Sequence, residues 1–284
     1  SVNPRYTNES IIPKEISEAK IKKRVVIIGG GPAGLSAGIT ASKRGHEVIL
    51  LEKENELGGQ LRFVAKEHYK EDVKRYLNYL LTQANKSNID IRLNTTATTE
   101  YVKNLNPDSL IIAVGAEEFI PPIKGVNQSH VMSGIESIIK EDTLGDNIAI
   151  IGGGTIGSEI ALELSLIKGK NVSIVEIGNE LAPQGNSLYK IALRQKMDMA
   201  STLTKHLETS CVEITEDEVI IEKDNVRSSI KADNVIICTG LRSKSSLAES
   251  FYGITPDTTM IGDCILPRKI MEDTFEGHSI ALNI

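Results

Sequence analysis

The sequence predicts an α/β chain built from two doubly wound, three-layer domains, one inserted in the other. Three features point there. Arg24–Leu51 reads as strand, glycine turn, helix and strand, a βαβ start that calls for a parallel sheet. The same start recurs from Asn147, after about 120 residues, and an internal duplication of that period organises the whole chain. Finally, NVIICTG (Asn234–Gly240) has the shape of SLIIAVG (Ser109–Gly115), an apolar strand ending in Gly, and marks where the chain returns to its first domain. A length of 284 residues suffices for two modest cores.

Taken in order, residues 1–23 are polar, with prolines at 4 and 13, and read as an extended arm or linker. Arg24–Ile28 is a strand, a helix follows the glycine turn and ends near Gly45, and Glu47–Leu51 is the second strand. EHYKEDVKRYLNYLLTQANK (67–86) has apolar residues at helical spacing, and IDIRL and SLIIAVG are the next strands. EEFIPPIKGV, with adjacent prolines, is the crossing to the second domain. There Asn147–Ile151 and Val172–Val175 are strands, and CVEIT and EVIIEK suit a small meander. The expected layout is therefore an arm over 1–23, a first domain over 24–118 completed by 237–284, and an inserted domain over 119–236.

Composition narrows the function. Hydrophobic residues at 40% and charged residues at 25% are ordinary for a globular protein. The net charge, 32 − 38 = −6, disfavours binding to nucleic acid or to an anionic membrane. No apolar run is long enough to span a bilayer, and SVNPRYTNES lacks the basic start and apolar stretch of a secretory signal. The three cysteines, Cys211, Cys238 and Cys264, form no CxxC, and the five histidines are scattered without metal-site spacing. These features predict no metal site and a reducing, cytoplasmic location.

The chemistry lies in the two glycine turns. IIGGGPAGL supplies G-x-G-x-x-G as Gly29, Gly31 and Gly34. The first glycine permits the tight turn and the second lets a diphosphate approach the backbone. The third allows close helix–strand packing, and the diphosphate rests on the helix N-terminus. Glu52 follows at 52 − 29 = 23 residues, ending the second strand, where a carboxylate accepts from a ribose hydroxyl. IIGGGTIGS repeats the arrangement with Gly152, Gly154 and Gly157, and Glu176 follows at 176 − 152 = 24 residues. Two complete fingerprints imply two Rossmann-like domains and two dinucleotides, one FAD and one NAD(H), because hydride exchange is the usual reason to pair such sites. Hydride transfer between them needs geometry and cofactor electronics rather than a side-chain acid or base, so no catalytic residue is expected.

The motifs GGGPAG, ELGGQL, AVGA, GGGTIGSE, CTG and MIGDC, spread along the whole chain, resemble the two-dinucleotide flavoprotein reductases of the glutathione reductase fold. That resemblance implies Gly262 and Asp263 at the ribityl and phosphate end of the flavin, and Gly59 and Gln60 beside it. It further implies flavin-site positions for Pro32, Ala33, Lys53, Ala97 and Gly115, and a place near the nicotinamide for Glu159.

VNPR, KKRVVIIGGGPAGL, ELGGQL and GDCILPRKIMEDTFEG are more narrowly similar to the C-terminal part of 2-enoate and 2,4-dienoyl-CoA reductases, the old yellow enzyme-like NADH:flavin oxidoreductases, with trimethylamine dehydrogenase a more distant relative. The resemblance implies an N-terminal (β/α)8 barrel with FMN and a [4Fe–4S] region as partners, fused or separate, and a homo-oligomeric whole enzyme. The chain itself lacks the barrel and the cluster cysteines, and is expected to be a separate or excised C-terminal module. Other readings are a stand-alone reductase of the thioredoxin reductase type, which wants a CxxC, and a glutamate-synthase-like small subunit, which wants N-terminal cysteine clusters. A non-catalytic dinucleotide-sensing module is the remaining alternative.

Overall fold

A computed structural model describes residues 2–284; Ser1, the first residue of the expected arm, lies outside them. Two compact units emerge, Ser1–Glu117 with Arg242–Ile284, and Glu118–Leu241. Each is a doubly wound α/β layer structure, the Rossmann-like architecture twice over.

In the first unit five parallel strands run in the order Asp257–Met260, Ser109–Ile112, Arg24–Ile28, Glu47–Leu51, Ile89–Arg92. Alternate side chains of the central strand leave the sheet on opposite faces. Val25 and Ile27 join Leu35 and Ile39 of the helix Pro32–Lys43 and Leu77 and Leu80 of the helix Glu71–Lys86. Val26 and Ile28 join Val102, Ala248 and Phe251 on the other side. Burial on both faces is why these strands read as unbroken apolar runs rather than as alternating ones.

The helix Pro32–Lys43 stops where the sequence suggested. Gly45, at φ +80°, lets its N–H reach the Ser42 carbonyl while the His46 N–H reaches that of Ala41, a paired C-terminal cap that needs a left-handed residue. The second helix starts at Glu71, later than the expected residue 67, because Glu67–Lys70 close a turn in which the Lys70 N–H donates to the Glu67 carbonyl.

The second unit repeats the sheet in the order Val131–Ser133, Asn234–Ile237, Asn147–Ile151, Asn171–Val175, Leu203–His206, all parallel. Helices Thr155–Leu162 and Ser187–Met199 cover one face through Ile160, Leu162, Leu193 and Met197. An antiparallel meander, Ser210–Ile214, Glu218–Lys223 and Val226–Lys231, covers the other through Ile214, Val219 and Ile221. The third meander strand was not anticipated: its residues VRSSIK are mostly exposed and carry no apolar alternation.

Two expected boundaries shift. The first unit resumes at Arg242 rather than residue 237, since Ile237 is still paired with Ile151 and Ser133 in the inserted sheet. Residues of the arm are turns rather than an extended linker: the Ile12 N–H donates to the Asn8 carbonyl, the Arg5 side chain to the Ile12 carbonyl, and Ile12 and Ala19 are buried. Among the described residues no helix is long and apolar enough to cross a membrane.

Candidate functional site

Each unit presents one glycine turn between a central strand and its helix, and the two turns are built alike. Gly29 and Gly152 sit at φ +106° and +108°, which only glycine adopts freely. A Cβ there would lie 2.2 Å from the Ala113 carbonyl oxygen or 2.3 Å from that of Cys238. A Cβ on Gly34 or Gly157 would lie 1.9 or 2.1 Å from the carbonyl oxygen of the first glycine. These four glycines serve the protein's own packing.

The second fingerprint glycines differ. A Cβ on Gly31 or on Gly154 would meet nothing within 4 Å, and both residues have ordinary extended backbone angles, φ −76° and −62°. Neither position needs glycine for the protein's own sake, so the requirement points to something that must come close to the backbone. Both are helix N-caps without a side-chain cap and without an acid in the first turn. Their first N–H groups are therefore left as donors backed by the positive end of the helix dipole. The space and the donors fit a diphosphate.

The two acids occupy equivalent places. Glu52, buried, accepts from the Gly30 N–H at 2.7 Å and from the Glu54 N–H at 2.9 Å. Glu176 accepts from the Gly153 N–H and the Gly178 N–H, both at 2.6 Å. Each carboxylate thus ties its strand end to its glycine turn and keeps lone pairs for one further donor per oxygen. The middle glycines Gly30 and Gly153, passed over in the sequence fingerprint, are required by this contact. A Cβ on Gly30 would lie 3.0 Å from the Glu52 carboxylate and 2.5 Å from Leu57, and one on Gly153 2.8 Å from the Glu176 side chain and 2.4 Å from Leu181. The tripled glycine in both motifs was the signal.

Around the first turn, Gly59 is left-handed at φ +54°, with its Cβ position 3.0 Å from the Gly31 Cα, so the GGQ loop lies directly on the fingerprint. Gln60 donates to the Ala116 carbonyl at 3.0 Å, and Gly115, at φ +70°, accepts from the Lys244 N–H. Lys53 is exposed and paired with Glu54, whereas Ala97 is half-buried against the second core layer. Gly262, at φ +72°, packs its Cα side against Ala33 of the Pro32–Lys43 helix, a Cβ there lying 3.0 Å from that of Ala33. Asp263 is the middle residue of the short turn Gly262–Cys264 and accepts from the Arg268 N–H at 2.9 Å, with burial raising its carboxyl above the usual range.

Sequence reasoning missed Lys244, whose ammonium is lowered by burial and faces Lys53 as well as the carboxylates of Glu117, Glu52 and Glu54. In the second unit it missed Tyr189, whose hydroxyl donates to the buried carboxylate of Glu159. Neither residue lies in a motif. Among the described residues no group of three histidine, cysteine or acidic side chains could hold a metal ion.

Residues 23–259 match the pyridine nucleotide-disulphide oxidoreductase family. The chain belongs to that family. Membership implies FAD and NAD(P)H as cofactors, in agreement with the paired turns. Bilirubin reductase of Mediterraneibacter gnavus is 34% identical over 273 residues, which are 95% of this chain and 42% of that protein. Cinnamate reductase of Clostridium sporogenes is 28% identical over 288 residues, 100% of this chain and 42% of that protein. The structure of a 2-naphthoyl-CoA reductase in complex with 2-naphthoyl-CoA superposes with a TM-score of 0.92 at 30% identity, over 100% of this chain and 43% of the other. This oxidoreductase chain therefore spans less than half the length of these three relatives, which are enoate-reductase-like.

Proposed function

We propose that this chain is the NADH-oxidising, FAD-binding module of an enoate-reductase-like iron–sulfur flavoenzyme. The observation that carries the reading is the pair of open second glycines, Gly31 and Gly154, each at the uncapped start of a helix and each preceded by a glycine, Gly30 or Gly153, whose N–H donates to an acid. FAD belongs to the first unit, with Gly29, Gly31, Gly34, Glu52, Gly59, Gln60 and Asp263 around it, and NADH to the second, with Gly152, Gly154, Gly157, Glu159 and Glu176. When bound, FAD supplies hydride acceptance from NADH and onward release of electrons one at a time.

The chain's own residues bind and orient. Uncapped helix N–H groups receive the diphosphates, and the spare lone pairs of Glu52 and Glu176 accept from ribose hydroxyls. Glu176 favours NADH over NADPH: a 2′-phosphate beside its carboxylate would be repelled, and the following Ile177, Gly178 and Asn179 bring no arginine to receive it. Tyr189 holds the Glu159 carboxylate in place on the helix that follows the second turn. The cysteines support no thiol relay: burial pushes the Cys211 thiol up to about 11 and raises that of Cys264, against what a nucleophilic thiolate needs.

Reduction of an activated C=C bond belongs to the remainder of the whole enzyme, with an FMN barrel and a [4Fe–4S] region as partners. The cinnamate and naphthoyl-CoA reductases, of which this chain matches under half, support that assignment. Mixing the flavin-loaded chain with NADH and either ferricyanide or cinnamate tests it. Ferricyanide is consumed and cinnamate is left untouched; reduction of cinnamate by this chain alone contradicts the division of labour.

A further inference from the structure

The helix Ile270–Asn283 lies against the fingerprint helix Pro32–Lys43 at backbone distance, a Cβ on Gly277 falling 2.2 Å from the Ala33 carbonyl oxygen. Ser36 donates to the Thr274 carbonyl at 2.8 Å, and the Tyr76 hydroxyl meets that of Thr274 at 2.7 Å. Wedged into this junction is Asp273, only 7% exposed. Its Oδ1 is fully buried and has no hydrogen-bond partner among the described residues. That oxygen lies 3.1 Å from the Cβ position of Gly262, and the Ala33 Cβ lies 3.0 Å from the same point. An unpartnered carboxyl oxygen, the Gly262–Asp263 turn and the first turn of the fingerprint helix thus meet in one place.

The charges around it are unbalanced. Asp263, Glu276 and Glu272 are its acidic neighbours, and Arg268 is the cation facing them. Arg268 is already committed: its guanidinium pairs with Glu276 and its N–H with Asp263, while the other Glu276 oxygen accepts from the Gly262 N–H at 2.8 Å. From the helix Glu71–Lys86 comes Tyr76, pushed up to about 12 by burial and therefore neutral. The fingerprint helix carries no charge before Lys43 at its far end, and His278, bonded to Thr40, is lowered by burial and Lys43 and stays neutral. Burial, with Asp263 and Glu276 behind it, pushes Asp273 up to about 7.

We propose that Asp273 is a proton-carrying member of the flavin site: FAD binds with this carboxyl protonated, so binding takes up a proton and ionisation of Asp273 loosens the flavin. The inference rests on the first unit being the FAD site. A diphosphate received at the fingerprint helix brings negative charge next to a carboxyl that has no cation of its own, in a buried setting where repulsion is poorly screened. The sign follows from linkage. An acid raised in the folded protein holds its proton there longer than in the unfolded chain, so the flavin-free protein loses stability as pH rises from about 4 to about 7 and bears the full penalty above. Flavin affinity is flat below about pH 7 and weakens above it, by up to about tenfold per pH unit until the bound form ionises as well.

The test titrates FAD into the flavin-free chain by fluorescence between about pH 6 and about pH 8.5, for the wild type, Asp273→Asn and Glu272→Gln, with unfolding temperatures of the flavin-free proteins over the same range. The wild type is expected to lose at least about tenfold in affinity across that range, while Asp273→Asn, which mimics the neutral carboxyl, stays tight and flat. Glu272→Gln removes one facing charge and moves the break to lower pH. The wild-type unfolding temperature falls between about pH 6 and about pH 7 and then levels off as far as Asp273 is concerned, and that of Asp273→Asn falls less over the same interval. Flavin binding without a pH break, or an unchanged break in Asp273→Asn, overturns the proposal alone. Failure of FAD to bind at any pH overturns the flavin-site reading and this inference with it.

Discussion

Gly31→Ala separates a glycine kept for a ligand from one kept for the fold. The added methyl enters space in which nothing of the protein lies within 4 Å, on backbone at φ −76° that alanine accepts. Reduced freedom of the unfolded chain favours alanine by about 0.4–1 kcal/mol, and the poorer helix cap costs about 0.5–1 kcal/mol, so stability without flavin should hold to within about 0.5 kcal/mol. Flavin affinity should not hold. The methyl occupies the approach to the helix N-terminus, where loss of one or two charge-assisted hydrogen bonds costs about 3 kcal/mol, or about 150-fold in Kd. Gly34→Ala is the contrast: its methyl would lie 1.9 Å from the Gly29 carbonyl oxygen, and backbone displacement costs about 1–3 kcal/mol or more even without flavin. Denaturant unfolding of the flavin-free proteins and fluorescence titration with FAD measure the two quantities separately. Wild-type flavin affinity in Gly31→Ala, or destabilisation equal to that of Gly34→Ala, refutes the reasoning.

At the second turn, stopped-flow flavin reduction should favour NADH over NADPH by about a hundredfold, from about 2–3 kcal/mol of lost hydrogen bonding and repulsion at Glu176, and Glu176→Ala should narrow that gap. Equal rates with the two cofactors in the wild type would defeat the assignment. Tyr189→Phe deprives the Glu159 carboxylate of a hydroxyl donor and should weaken NADH binding about tenfold, for about 1.4 kcal/mol, while FAD affinity is unchanged; loss of FAD instead would place Tyr189 elsewhere in the mechanism. Glutathione disulfide and thioredoxin should not be turned over, and turnover abolished by Cys264→Ser would reverse that conclusion.

What the sequence made legible was local and repetitive. Arg24–Ile28 and Asn147–Ile151 are read directly because both faces of a central parallel strand are apolar, and the glycine turns are read because a tight turn, the approach of a ligand and close helix–strand packing each fix one glycine at a set spacing. Strands whose residues are half-exposed left no such mark: Asp257–Met260 is DTTM, intermediate in burial at every position, and Val226–Lys231 forms the open edge of the meander. The site divides the same way. Glu52 and Glu176 follow from strand ends, whereas Lys244, Tyr189 and Asp273 reach their places through contacts between segments far apart in the chain, such as Asp273 beside Gly262 and Ala33. No spacing rule encodes a contact of that kind. The π-helical turn Glu163–Ile167, which continues the helix after the second fingerprint, was equally invisible, and nothing in its local sequence explains it.

The central claim, that these two units pass a hydride from a nicotinamide to a flavin, is tested most directly by the visible spectrum of the FAD-loaded chain before and after anaerobic addition of NADH. The account predicts a yellow protein whose flavin band is bleached by NADH, promptly and far faster than by NADPH. A colourless protein after reconstitution with FAD, or a yellow one whose spectrum NADH leaves unchanged, contradicts it.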